Sequence, residues 1–152
     1  METLKMLQAR KAIRHYTGQI TDQQLQKILQ AGSAAPVGLG EYDNYRLTVI
    51  QDPAILAKMH GIYEAPTVIV ISVRESGPME YVSTGAIAQN LELAAEAQGV
   101  GANFNMASLR SVPRDRLPAG FHPAFVMTMG QTSETFRPRS IPANRIATNL
   151  VK

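Results

Sequence analysis

The chain has 152 residues, about one domain's worth, with 45% hydrophobic content, a net charge of +3 and no cysteine. That profile excludes a disordered chain, a disulfide scaffold, a thiolate nucleophile and Cys-ligated zinc, and the charge is too small to imply a nucleic-acid partner. No apolar run approaches the roughly 20 residues of a membrane span, METLKMLQARK lacks the apolar stretch of a secretory signal, and the missing cysteines fit a reducing cytoplasm.

Leu4 to Ala9 reads as a short helix. Thr21 and Gln24 form a capping box, and Leu25, Ile28 and Leu29 follow on one helix face until Gly32 and Pro36 end the helix. Tyr45 to Ile50 is β-branched and aromatic, hence a strand. Asp52-Pro53 opens a short helix with apolar Ile55, Leu56 and Met59, stopped at Gly61. Thr67 to Val73 is apolar on both faces and predicts a central strand. Glu80 to Gln98 is the longest expected helix, striped by Ile87, Leu91, Ala94 and Ala95 and closed by Gly99. Its many small residues suit a helix packed on more than one side. A strand around Ala102 to Met106, a helical turn at Ser111 to Arg116 and a central strand at Ala124 to Met129 complete an α+β order. Beyond Gly130 the chain turns polar and proline-dotted, ending on a weakly amphipathic Ile146, Leu150 and Val151.

Charge is unevenly spread. Lys5, Arg10, Lys11 and Arg14 against Glu2 leave residues 1–16 at +3, and Arg137, Arg139, Arg145 and Lys152 against Glu134 leave residues 131–152 at +3. The stretch between them stands at −3. Such ends are either solvated tails or two basic segments converging on one anion such as a phosphate. Like-charged tails repel, so convergence is expected to need an anion between them.

Several chemistries find no support. His15, His60 and His122 are isolated, so no metal site is expected. There is no G-x-S-x-G elbow and no G-K-[ST] of a P-loop. Gly38-Leu39-Gly40 and Gly99-Val100-Gly101 are fragments of a dinucleotide fingerprint that lack its third glycine.

Four stretches together resemble the FMN-dependent nitroreductase family. Arg10-Lys11-Ala12-Ile13-Arg14-His15-Tyr16 is similar to its opening R-x-S-x-R-x-F, and Ile28 to Pro36 to its I-L-x-A-A-x-x-A-P. Gly85 to Gly101, with Gln89-Asn90 inside it, resembles G-x-x-x-Q-N-x-x-L-A-A-x-x-x-G-x-G. A last strand ending at Gly130 and a later Arg137-Pro138-Arg139 complete the likeness, which spans nearly the whole chain. It implies a layered α+β fold with a mostly antiparallel central sheet flanked by helices. It also implies a single FMN-binding domain over residues 1–152, with 131–152 as a C-terminal arm.

The resemblance further implies a cytoplasmic homodimer with FMN at the subunit interface. Hydride would pass from NAD(P)H through flavin N5 to an acceptor such as a nitroaromatic or quinone. FMN would be held by Arg10, Lys11, Ala12 and Arg14, by Ala35, Pro36 and Val37, by the backbone of Met106 and Ala107, and by Arg137 and Arg139. Arg10 and the C-terminal arginines would meet the phosphate, where guanidinium forks suit a dianion. Arg14 would approach the N1/O2 ring edge, and a backbone N–H at Met106–Ala107 would face N5.

Departures bear on that carry-over. Ala12 stands where the family has Ser, Val37-Gly38-Leu39-Gly40 where S-x-x-N is usual, and Asp43-Asn44-Tyr45 where Q-P-W is usual. Only Arg74 to Met79 separates the central strand from the long helix, so extra helices over the site are missing, which points to an open substrate site or to a substrate unlike that of the larger enzymes. An FMN carrier or sensor without turnover is the alternative reading. A basic-ended nucleic-acid-binding domain is a third, which lacks any interleaved basic and aromatic pattern.

Overall fold

The computed structural model describes residues 2–152. Its centre is a four-stranded sheet of β1 (Tyr45–Ile50), β2 (Thr67–Val73), β3 (Val100–Phe104) and β4 (His122–Gln131), in the order β1-β2-β4-β3. Every neighbouring pair is antiparallel. The register of β2 on β4 shifts between Ile71 and Ser72. All seven residues of β2 are buried, as expected of a strand with both faces covered.

Four helices surround the sheet: α1 (Thr3–Ala9), α2 (Asp22–Ser33), α3 (Pro53–Leu56) and α4 (Pro78–Glu96). Alternation along the strands separates two cores. Ile69, Ile71, Met127 and Met129 point toward Ile28 of α2 and Ile87, Leu91 and Ala95 of α4. Val68, Val70 and Val126 point the other way, toward Leu56 of α3, Met59, Ile62, Val112 and Leu117. The Thr21 capping box starts α2, with both reciprocal hydrogen bonds formed. Asn90 on α4 donates to the Ala31 carbonyl at 3.0 Å, tying α4 to the last turn of α2.

Several boundaries differ from the sequence expectation. The helix expected from Glu80 begins at Pro78, because proline is pre-organised for a first turn. The strand expected over Ala102–Met106 is β3, two residues earlier, and Met106 instead opens a 3₁₀ segment that runs to Ser111. The single turn expected at Ser111–Arg116 is that segment followed by a second 3₁₀ turn at Arg114–Arg116. Asn105 sets the change, since its side chain accepts the Ser108 N–H and caps the new turn. Beyond Gln131 the described chain has no helix or strand.

Candidate functional site

Residues 10–18 leave α1 without helical structure and run along the open edge of β3 and the end of β4. Ile13 N–H donates to the Ala102 carbonyl at 2.9 Å, Thr17 N–H donates to Gln131 at 2.8 Å, and Gly18 bridges Gln131. Two glycines permit this close approach. A Cβ on Gly101 would lie 2.6 Å from Ile13, and one on Gly130 would lie 2.9 Å from both Tyr16 and Pro66. The glycines of the sequence motifs therefore make room for chain against chain. Tyr16 fastens the segment: its hydroxyl donates to the Ile13 carbonyl at 2.8 Å and meets Thr128 Oγ1 at 2.7 Å. Burial pushes the Tyr16 phenol up to about 12, so it stays protonated at neutral pH.

The start of this segment is held by α4. Arg10 Nη1 donates to both carboxylate oxygens of Glu92, at 3.2 and 3.3 Å. Glu92 is 1% exposed, and burial raises its carboxyl above the ordinary value even though Arg10 opposes the shift. One turn on, Glu96 Oε1 accepts the Lys11 backbone N–H at 3.1 Å, while its buried Oε2 has no partner among the described residues. Burial lifts Glu96 from 4.5 to about 7, with the Glu92 charge adding to the rise.

The C-terminal segment returns to the same place. Arg139 Nη2 donates to the Arg10 carbonyl, its Nε and its backbone N–H both donate to the Gln8 carbonyl at 3.2 Å, and Lys11 Nζ pairs with Glu134. The two basic ends thus come together: Glu92 pairs with Arg10, Glu134 pairs with Lys11, and backbone carbonyls receive Arg139. Arg137 is exposed and Ala12 is exposed.

Arg14, farther along, is exposed and makes no ion pair among the described residues. Its guanidinium lies 5.9 Å from the centre of the Tyr63 ring. Tyr63 and Glu64 are the middle of a tight turn closed by Ala65 N–H on the Ile62 carbonyl at 3.0 Å. Both are left-handed, at φ +55° and +54°, and non-glycine residues there cost of order 1 kcal/mol or more each. Asn105, 3% exposed, donates to the Gly61 carbonyl at 2.7 Å. It thereby ties this turn to Met106 and Ala107, both exposed. A cleft of about 690 Å³ opens between the turn and α3.

Ala35, Pro36 and Val37 stand elsewhere. Ala35 is fully buried, and Gly38 N–H donates to Ser83 Oγ at 3.0 Å near the start of α4. Glu92 and Glu96, which hold Arg10 and Lys11, are nine and thirteen residues farther along that helix, about 14–20 Å at 1.5 Å per residue. One chain therefore gathers Arg10, Lys11 and Arg139 at one spot and sets Arg14 against the Tyr63 turn, while Ala35 to Val37 lie by the start of α4. Glu92, Glu96, Tyr63 and Asn105 escaped the sequence reading. Two carboxylates four apart beside the apolar stripe of α4 were a usable signal for the first pair, but nothing local marked the others.

Comparison with known proteins agrees with this architecture. The Nitroreductase family model matches residues 45–130, more than half of the chain. A nitroreductase with bound FMN from Bacteroides fragilis NCTC 9343 superposes with a TM-score of 0.79 at 20% identity, over 100% of both chains. A nitroreductase with bound FMN from Desulfitobacterium hafniense DCB-2 gives 0.77 at 22% identity, over 99% of this chain and 100% of that one. An FMN-dependent nitroreductase from Clostridium difficile R20291 gives 0.80 at 18% identity, over 98% and 100%. No curated protein matches the sequence. At these identities the structures establish the fold, and the family model establishes the lineage: the protein belongs to the nitroreductase family.

Proposed function

We propose that this protein is an FMN-dependent oxidoreductase that takes its electrons from NAD(P)H. The observation that carries the reading is the convergence of Arg10, Lys11 and Arg139 from opposite ends of the chain, with Arg14 farther along the same segment. FMN has two ends to satisfy, a phosphate and a ring, and the residues present fit both. Arg10 engages Glu92 through Nη1 alone, so Nε and Nη2 have no partner among the described residues and remain available to an anion. Arg139 adds a second guanidinium beside it, and Arg137 lies two residues away. Arg14 stands at most about 14 Å from Arg10 along the chain, where a cation favours the electron-rich reduced ring.

FMN, when bound, would supply two-electron redox chemistry between NAD(P)H and an acceptor such as a nitroaromatic or quinone. The chain's part is to bind and orient. The Met106–Ala107 backbone would offer its N–H to the ring, and the cleft beside Tyr63 leaves room for a second molecule.

The reading includes a homodimer. Ala35 to Val37, which lie by the start of α4 and away from the Glu92–Glu96 turn, would be brought to the FMN held by Arg10 from a second copy. Large apolar side chains are exposed on α1 (Leu4 and Leu7), at the start of α4 (Met79, Tyr81 and Val82) and near the end of the chain (Ile146, Leu150 and Val151). A second copy would cover such residues. Residues 1–152 would form one FMN-binding unit with 131–152 as its arm. No described helix is long and apolar enough to cross a membrane, and the cysteine-free chain accords with work in the cytoplasm.

The test is direct. The purified protein should show the visible flavin bands, heat should release FMN and not FAD, and NAD(P)H should be consumed when a quinone or nitroaromatic is added. A colourless protein that takes up no FMN overturns the reading. A yellow protein that never oxidises NAD(P)H leaves a flavin carrier.

A further inference from the structure

Tyr63 occupies a backbone position that a tyrosine disfavours. The turn from Ile62 to Ala65 needs φ > 0 at both central residues, the geometry for which Asn-Gly is the favoured pair. Gly61, at φ +69°, shows glycine used for this purpose two residues earlier. Yet the next two left-handed positions hold Tyr and Glu. A conformational penalty accepted in a turn that is pinned from behind, here by Asn105 on the Gly61 carbonyl, points to a side chain held for what it does. The Tyr63 ring is 48% exposed, so its burial in the core is not what holds it there. What it meets is the Arg14 guanidinium, 5.9 Å from its centre. Arg14 has no carboxylate or hydrogen-bond partner among the described residues, so this ring is what limits where its charge rests.

We infer that Tyr63 is a positioning residue: its ring seats the Arg14 guanidinium where it would meet the edge of a bound flavin ring, and so would set how strongly the protein favours reduced over oxidised FMN. The assignment rests on the proposed FMN site. A cation over an aromatic face is held by the ring's quadrupole without being neutralised. A carboxylate in Tyr63's place would cancel the charge, whereas the ring fixes it and leaves it available. Asn105 joins the same unit, since it fastens the Tyr63 turn to the start of the Met106 segment.

The experiment measures the reduction potential of bound FMN and the thermal midpoint of the protein for wild type, Tyr63→Asn, Tyr63→Phe, Arg14→Ala and the double variant Arg14→Ala/Tyr63→Asn. Asparagine tolerates the left-handed backbone and lacks a ring, so Tyr63→Asn should melt no lower than wild type. It should lower the affinity for reduced relative to oxidised FMN about threefold to tenfold, the tenfold limit being a fall of about 30 mV for a two-electron couple. Tyr63→Phe, which keeps the ring face, should restore the wild-type potential. The double variant should fall no further than Arg14→Ala alone, because both changes remove one interaction. If Tyr63→Asn leaves the potential unchanged while Arg14→Ala lowers it, or if the two losses add, the assignment is wrong and the FMN reading stands. If wild type takes up no FMN, the reading beneath the assignment falls with it.

Discussion

The two ends of the 10–18 segment solve opposite electrostatic problems with the same residue type. Arg10 gives Nη1 to a buried carboxylate with no other partner among the described residues and keeps Nε and Nη2 for an anion. Arg14 meets only an aromatic ring and keeps its charge. The difference follows from what lies beneath. Arg10 lies over α4, whose packed face carries Glu92 and Glu96, while Arg14 lies over the strained turn at Tyr63. A motif of two arginines four apart thus contains one cation built into the fold and one presented outward.

Arg10→Ala is the most disruptive way to break that contrast. It would leave Glu92 buried without its counter-charge, a loss of about 3 kcal/mol, the low end of the usual range because the guanidinium is 37% exposed. Urea unfolding at pH 7 should show it. As pH falls the loss should shrink, because burial favours the protonated Glu92 carboxyl. Arg10→Met with Glu92→Leu should recover most of the stability.

Glu96 gives the next largest effect. Its carboxyl titrates near 4.5 in the unfolded chain and near 7 in the folded one. Below about 4.5 both states are protonated and burial carries no charge penalty. As pH rises from 4.5 to 7 the unfolded chain releases a proton that the folded chain retains, so stability falls across that window, by roughly 2–3 kcal/mol. Glu96→Gln should flatten the profile. A wild-type stability independent of pH between 4.5 and 7 would contradict the buried, unpartnered Oε2.

At the phosphate end, Arg139→Ala should weaken FMN about ten- to a hundredfold, from the loss of one charge-assisted contact. Riboflavin, without the phosphate, should hardly notice. Arg137→Ala should cost less, since its exposed side chain makes no hydrogen bond or ion pair among the described residues. Equal losses of FMN and riboflavin in titrations would place Arg139 away from the phosphate.

The smallest change sharpens the comparison from the other side. Arg14→Ala should alter unfolding free energy by no more than about 0.5 kcal/mol, as for an exposed residue outside any buried network. A loss as large as that of Arg10→Ala would mean that Arg14, too, is part of the fold.

Local chemistry in the sequence was sufficient for the elements. Thr21 and Gln24 specify a cap through bonds three residues apart, Asp52 and Pro53 do the same for α3, and the two-faced apolar run at Thr67–Val73 demands a central strand. The family pattern was readable as well, and here Gly101, Gly130 and Asn90 answer close contacts of this fold. What the tertiary structure alone decided is which charges survive. Glu92 lies 82 residues from Arg10, Glu134 lies 123 from Lys11, and Tyr63 meets Arg14 from a turn that Asn105 ties down. Whether a cation is cancelled or presented depends on such distant neighbours and on their burial, since Coulomb attraction and desolvation act through space and not along the chain.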